Sequence, residues 1–498
     1  MSRWGSSVTR TTSLGLWLLA FLIGLVIARR VSITWGQCVT VLLVCCAPLL
    51  FRKRLSLLSI LLMGLALGGW RGSVFMHKLL PYRHLAGSQI SIIATTSSDS
   101  VYADKGQIEF DVTNIQAVQP VEQALVGTIG IKGYGLPMVY RGDRVQVQGK
   151  LSSAKGSRQA RMSFARIERV ARGTSKLDVW RRKFTAGLQS VLPEPLGSLG
   201  LGILIGQRTT LPDMLTTDMS VVGLTHIVAV SGYNLTIIVS MVRRLLKRRS
   251  KYQTATVTFA LVLVFIAITG MSASIVRAGV VSGASLLAWY TGRTFRPMVL
   301  LLLVAAATAG WFPPYLWSDI GWYLSFLAFA GVLLVAPLFE KRFLTRKPRV
   351  VLSLLIETMS AQILTVPLIM FVFGRLSIIS LVANMLVVPF VPLAMLASVC
   401  AGLAGMWWAS VAGWLAVPAV VIMTYMVDVI SLLARAPSAS LVLAINAWQL
   451  TALYVCIVLM LTVWWQKQQK MVKSNQLQTA SMSVKSEPAN SKIATGEL

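Results

Sequence analysis

Residues 223–239 read GLTHIVAVSGYNLTIIV, an apolar stretch that carries His226, Ser231, Gly232, Tyr233 and Asn234 in its middle. Long hydrophobic runs flank it, so this is sequence suited to a membrane rather than to a soluble core. Polar groups cost free energy at that depth and persist where they find partners or face a water-filled path. On one continuous helix, His226 and Tyr233 would be nearly eclipsed, while Ser231 and Asn234 would share another face. Gly232 is the expected break in that helix, a feature membrane proteins tolerate beside a cavity or within protein. The competing role for the cluster is hydrogen bonding that holds neighbouring helices together.

The composition around this stretch sets the class. The chain has 498 residues, 55% hydrophobic and 13% charged, with a mean hydropathy of +0.69. These values describe a polytopic α-helical membrane protein. Apolar runs fall near 13–28, 37–51, 55–70, 220–242, 253–270, 272–291, 297–312, 320–338, 350–373, 377–403, 411–435 and 443–465. They suggest about 11–13 membrane segments. Residues 198–206, SLGLGILIG, are too short to span and read as a re-entrant or interfacial piece. The run from Ser13 to Ala28 lacks a small-residue cleavage site and is expected to remain as a helix.

Basic loops orient the helices. Arg243, Arg244, Lys247, Arg248, Arg249 and Lys251 form one cluster, and Lys341, Arg342, Arg346, Lys347 and Arg349 form another. Placing both in the cytoplasm puts the two termini inside and residues 71–194 outside, with 220–242 as a single crossing from out to in. Arg29 and Arg30 then fall on the outer side, against the trend.

Between about 88 and 171 the pattern changes to period-two segments: QISIIATTSS, GQIEFDVTNIQAV, ALVGTIGIKGY, RGDRVQVQGKL and ARMSFARIERVA. Five such runs separated by Gly and Asp turns suggest a small antiparallel barrel of the OB type, an inserted extracytoplasmic OB-like β-barrel domain. In SKLDVWRRKFTAGLQSVL, residues Leu177, Val179, Trp180, Phe184, Leu188 and Val191 fall on one helical face. That face suits a helix lying at the membrane surface. The expected organisation is N-terminal transmembrane helices at 1–70, the OB-like domain at 71–175 and the amphipathic interfacial helix at 176–195. A transmembrane channel domain at 196–465 and a disordered cytoplasmic tail at 466–498 follow.

Charge adds a second signal. Lys and Arg number 47 against 17 Asp and Glu, a net +30. Residues 71–194 hold 18 basic and 9 acidic residues, a net +9 that topology does not require of a long translocated domain. From Arg141 to Lys183 there are 13 basic residues against Asp143, Glu168 and Asp178. Such a stretch suits a polyanion, with Arg141, Arg144, Lys150, Lys155, Arg158, Arg161 and Arg166 as the candidate contacts. Anionic lipid headgroups are the alternative, above all for Arg181 to Lys183. Tyr102, Phe110, Tyr134, Tyr140 and Phe164 are scattered, so phosphate tracking is better supported than base stacking.

Other polar groups are embedded in the apolar runs. Arg277 could meet phosphate, snorkel outward or pair with an acid, for which Asp319 is the nearest by level. Asp319 also suits a helix N-cap. Gln362 and Asn384 can be structural or functional. The five cysteines lie in apolar runs and imply no disulfide framework. The three histidines, His77, His84 and His226, form no HxHxDH or HExxH motif, there is no Walker A sequence, and AVSGY lacks the GxSxG elbow. Neither a metal nor another cofactor is expected, and the chain does not read as an enzyme. The other classes left open are an integral membrane enzyme acting on an anionic lipid or polymer, with His226 and Asp319 as acid and base, and a small-solute transporter.

Taken in order, LGILIGQR, GLTHIVAVSGYN, SASIVRAGVVSGASLLAWYTGR, PPYLWSDIGWYLSFLAFAGVLL, SAQILTVPLIMFVFGRLS and LVANMLVVPF closely resemble the competence domain of the ComEC family. The resemblance extends over about 55–465 and rests on the series rather than on any one segment. Members of that family are inner-membrane channels that import single-stranded DNA during natural transformation. The resemblance implies that His226, Ser231, Gly232 and Asn234 line or shape the conducting region, with Arg277, Asp319, Gln362 and Asn384 at matching polar positions. It implies single-stranded DNA and membrane lipids as partners, with a cytoplasmic ATP-dependent motor and a DNA receptor. Many members append a metallo-β-lactamase-like domain, and with none expected here the nuclease would be a separate protein or absent.

Overall fold

The computed structural model describes residues 10–51, 56–103, 106–120, 122–136, 138–154, 156, 158–207, 211–228, 232–269, 273–292, 296–343 and 350–485. Two compact units are present: Met1–Phe326 with Ser377–Ser440, and Leu327–Leu376 with Leu441–Leu498.

The chain opens with α1 (Arg10–Ile27), α2 (Trp35–Phe51) and α3 (Ser56–Lys78), and α3 packs on both of the others. Gly68 lets the α1 and α3 backbones meet, since a Cβ there would collide with the Phe21 carbonyl. The short helix α4 (Leu80–Leu85) leads into strands β1 (Gln89–Thr96), β2 (Val101–Ala103), β3 (Gln107–Gln119), β4 (Gln123–Leu125), β5 (Ile129–Tyr134), β6 (Arg144–Ser153) and β7 (Ala160–Ala171).

Five of these strands fall where the alternating runs placed them, and β2 and β4 are three-residue additions. The sheet order is β1-β6-β7-β5-β3-β2, with β4 on β3 and a further β1–β3 pairing. The expectation of a wholly antiparallel arrangement is corrected by β5 and β7, which pair in parallel. The cause is topological: β7 returns from the β6 hairpin and docks against β5 in the same direction. Alternate residues make the core, among them Ile92, Phe110, Val112, Ile131, Val147, Met162 and Ile167, each no more than 2% exposed. In two strands the inward set changes phase. Asn114 and Phe164, both with positive φ, mark the slips, so Ile115 and Ala165 take over the core positions.

The helices that follow are α5 (Lys176–Val191), α6 (Leu196–Ile205), α7 (Asp213–Val221), α8 (Thr225–Val228), α9 (Gly232–Leu245), α10 (Lys251–Thr269), α11 (Ala273–Thr291), α12 (Pro297–Trp311), α13 (Pro314–Ser318) and α14 (Ile320–Ala330). A π-helical turn (Gly331–Val335) precedes α15 (Ala336–Phe343), α16 (Val350–Phe373), α17 (Ser380–Val387), α18 (Val391–Trp407), α19 (Ala409–Ala434) and α20 (Ala447–Lys485). Among the described residues seven helical segments are long and apolar enough to cross a membrane, and four shorter apolar helices accompany them. The protein is a multi-pass helical membrane protein.

Three local expectations change. The run 220–242, read as one crossing, contains α8 and the 14-residue α9, and the residues between them, 229–231, lie outside the described residues. At 1.5 Å per residue α9 covers about 21 Å, short of the hydrocarbon core. Helix α20 continues to Lys485, past the start expected for a disordered tail. Once nucleated by its apolar half, a helix extends cheaply through Gln, Lys and Met.

The amphipathic helix α5 buries its apolar face in protein instead of lipid. Phe184 and Leu188 are 4% and 0% exposed in one cluster with Leu199, Ala401 and Met423, and Trp180 stacks on Phe184 at 5.5 Å. Contact with α18 is close because both surfaces are small, so that a Cβ on Gly405 would run into the Gly187 carbonyl. All ten residues of α6 are buried in the same cluster region. Overpacking a tight contact costs about 1–3 kcal/mol. Gly405→Ala is therefore expected to lower the thermal midpoint of the detergent-purified protein, whereas Gly413→Ala on α19, which faces open space, leaves it unchanged or raises it.

Candidate functional site

The candidate cations sit on the sheet, and the way the sheet is fastened decides which of them are available. At its base, Asp99 accepts the Arg141 backbone N–H at 2.8 Å and pairs with the Arg181 guanidinium of α5 at 2.7 Å. Both side chains of that pair are about nine-tenths buried, at 10% and 9% exposure. Arg141 itself donates to the Ile268 carbonyl near the end of α10 at 3.1 Å. Burial lowers the Arg141 guanidinium below the ordinary arginine value, and Arg181 adds to the shift. Beside it the fully buried Asp143 accepts the backbone N–H groups of Tyr140 and Gly173. Arg169 and Arg182 lie 3.7 and 3.8 Å from the same carboxylate. Of these cations Arg181 and Arg182 belong to α5 and tie it to the carboxylates Asp99 and Asp143 of the sheet domain.

Arg158 is likewise committed. It crosses β5 above Gly130 and reaches Glu109 and Asp111 of β3, each at 2.7 Å. Arg161 stands 3.9 Å from Glu109. Burial raises the Asp111 carboxyl above the usual carboxylate range despite Arg158, and Glu109 adds to the rise. For Arg158, burial opposes the charge but the two carboxylates outweigh it. Arg144, Lys150 and Arg166 are exposed, and of these Arg166 pairs with Glu168 at 3.1 Å on the open surface. Lys155 lies outside the described residues.

Among the described residues of the first unit, His226, Arg277, Asp319 and Asn384 each have a backbone partner. His226 in α8 is exposed, with Nδ1 3.2 Å from the Gly223 carbonyl. Gly223, at φ +77°, packs against Ser377 and Ser380 at the start of α17. Asn384 is 6% exposed and donates to the Ser380 carbonyl at 2.8 Å. The α8 and α17 segments thus adjoin, and Ile227, Val228, Ala383 and Val387 share one core. Gly232 is the first residue of α9 and Asn234 lies in its first turn, while Ser231 lies outside the described residues.

Arg277 of α11 is 9% exposed, donates to the Ser325 carbonyl at 2.7 Å and sits 5.7 Å from the Phe326 ring centre. Asp319 caps α14 by accepting the Trp322 N–H at 3.0 Å. An Arg277–Asp319 ion pair does not occur among the described residues, because each group is engaged locally. Gln362 lies in α16, in the second unit. Sequence reasoning did not single out Asp99 or Lys132. Lys132 could have been found as an outward position in the alternating IGIKGY.

Residues 203–468 match the family model described as "Competence protein". The chain belongs to the competence-protein family. The ComEC-type resemblance of its ordered motifs stands confirmed by that match. The competence-family region starts inside α6 and takes in the helices from α7 through the apolar half of α20, leaving the sheet and α1–α5 outside it. The chain is also similar to "ComE operon protein 3" of Bacillus subtilis (strain 168), with 26% identity over 232 residues. That alignment covers 45% of this chain and 28% of the relative's length. No solved structure matches it.

Two outcomes follow from the charge network. Asp99→Asn strands Arg181 in a buried position, a change that costs about 3–5 kcal/mol for a broken buried pair. Hydrogen exchange in α5 and at the start of β6 should speed up accordingly. Arg158→Met leaves Asp111 without its cation and Glu109 with Arg161 at 3.9 Å, and at their partial exposure the cost at neutral pH is about 1–3 kcal/mol. Removing Arg158 takes away the charge that holds the raised Asp111 pKa down, so the penalty is complete above the variant's still higher folded value and vanishes below the parent's folded value, where the carboxyl is protonated in both proteins. Thermal unfolding of Arg158→Met relative to the parent should show a deficit at pH 8 that shrinks as the pH falls towards 4.

Proposed function

We propose that this protein imports single-stranded DNA across the bacterial inner membrane during natural transformation. The observation that carries the reading is the competence-family match over 203–468, the part of the chain that holds His226, Ser231, Gly232, Asn234, Arg277, Asp319, Gln362 and Asn384. The strand passes through the membrane along those polar positions. The sheet lies on the extracytoplasmic side and acts as an OB-type module, a reading supported by its five main strands, the parallel β5–β7 ladder and the double pairing of β1. The C-terminus lies in the cytoplasm.

DNA phosphates are collected on Arg144, Lys150 and Arg166, the exposed cations among the described candidates. The protein is a conduit rather than an enzyme. A cytoplasmic ATP-dependent motor supplies the driving force, a DNA receptor delivers the strand, and a nuclease removes its complement. Each is a partner that this reading requires.

Cells lacking the protein, supplied with labelled DNA, are the direct test. Import is expected to fail and to return with the parent gene; normal import without the protein would overturn the reading. Binding offers a second measurement. Neutralising Arg144, Lys150 and Arg166 to Gln in the full-length protein should weaken binding of a single-stranded oligonucleotide. It should also flatten the plot of log affinity against log salt, by about 0.7 for each phosphate that is no longer neutralised.

A further inference from the structure

Phe164 is 75% exposed on the sheet and has a backbone φ of +56°. A bulky residue gains nothing from either condition, since the left-handed region is strained for it and its ring stays in water. The ladders show how it gets there. β7 pairs Ser163 with Lys150 and Arg166 with Gln148 on one side, and Ser163 with Lys132 and Ala165 with Gly133 on the other. Register shifts in both ladders fall at this point, so Phe164 is the extra residue that neither neighbouring strand pairs. A bulge of this kind aims a side chain out of the sheet.

Its surroundings are equally specific. One cross-strand row runs Tyr134, Arg166, Gln148, and the next runs Lys132, Ser163, Lys150. Phe164 stands between them. Tyr134 is 42% exposed, while the residues before and after Lys132, Ile131 and Gly133, are buried, which leaves Lys132 on the outer side. The Arg166–Glu168 pair, at 78% and 60% side-chain exposure, is a surface contact of small worth and does not commit the guanidinium. Three cations and two exposed rings therefore share one outer face of the sheet, at the spacing of adjacent strands. An aromatic face flanked by cations suits an unpaired nucleobase whose own phosphates meet the cations.

We infer that Phe164 is a stacking residue for a base of single-stranded DNA, with Lys132, Lys150 and Arg166 holding the adjacent phosphates. The inference rests on the DNA-import reading and adds base contact to the backbone contact already assigned to this sheet. It makes the sheet a module that recognises single strands, because a base inside a duplex offers no free face to the ring.

The test uses full-length protein in lipid nanodiscs and two fluorescein-labelled probes of equal length and charge, oligo(dT) and an abasic oligonucleotide, read by fluorescence anisotropy. The parent protein should bind oligo(dT) at least about fivefold more tightly than the abasic strand, the equivalent of one stacked base. Phe164→Ala should abolish that preference while leaving abasic binding, its salt slope and the thermal midpoint unchanged. Phe164→Tyr should retain the preference, and Phe164→Leu, which keeps apolar bulk without a flat ring, should lose it. If Phe164→Ala and Phe164→Leu bind oligo(dT) as the parent does, the stacking role is overturned and backbone binding stands. An equal loss for both probes also overturns it, by showing that the residue shapes the sheet instead. If the parent binds neither probe, the failure belongs to the DNA reading itself.

Discussion

The structure of the first unit depends on α5, a helix that has to satisfy two environments at once. Near its start, Arg181 is buried and is stable there because Asp99 of the sheet pairs with it at 2.7 Å. Further along, Phe184, Gly187 and Leu188 sit within the helical core, where the Gly187 backbone lies directly on Gly402 and Gly405 of α18. Neither contact tolerates much displacement. An ion pair removed from water needs its geometry kept, and a glycine-lined crossing leaves no room to slide. The position of the sheet against its neighbouring helices follows from those two demands.

Charge in such a domain is not distributed as its net value suggests. The +9 of residues 71–194 points to a broad basic surface, yet Arg141, Arg158, Arg169, Arg181 and Arg182 are occupied by Asp99, Asp111, Asp143, Glu109 and backbone carbonyls. Acidic residues are few, but each of these four attracts one or more arginines. Among the described residues, Arg144 and Lys150 of β6 and Arg166 of β7 stay exposed on the sheet, while Lys78, Arg83, Arg172, Lys176 and Lys183 are exposed outside these strands.

The strands were legible because period two survives in each of them, and the membrane class was legible from hydropathy alone. Other features were hidden for identifiable reasons. The slips at Asn114 and Phe164 need one additional residue in a ladder, and alternation read along a single strand does not show which residue is skipped. Helix α5 has the periodicity of a surface-bound helix, and an apolar stripe looks the same whether lipid or α18 covers it. The polar residues of the helices were visible as costly groups, but their partners were not. Asp319 is used as a cap and Arg277 reaches a carbonyl on α14, neither of which side-chain chemistry alone distinguishes from an ion pair. The proximity of α8 to α17 depends on Gly223 meeting Ser377 and Ser380, a contact between segments far apart in the chain.

The two attachments of α5 also have a mechanical meaning. Its 16 residues cover about 24 Å at 1.5 Å per residue, with a salt bridge near one end and a backbone crossing towards the other. A rod pinned in this way cannot swivel about either pin without breaking the other. Sheet, strut and α18 therefore respond to a sideways load as one stiff arm, and tension applied to the outer face of the sheet is delivered to the interior of the helical bundle.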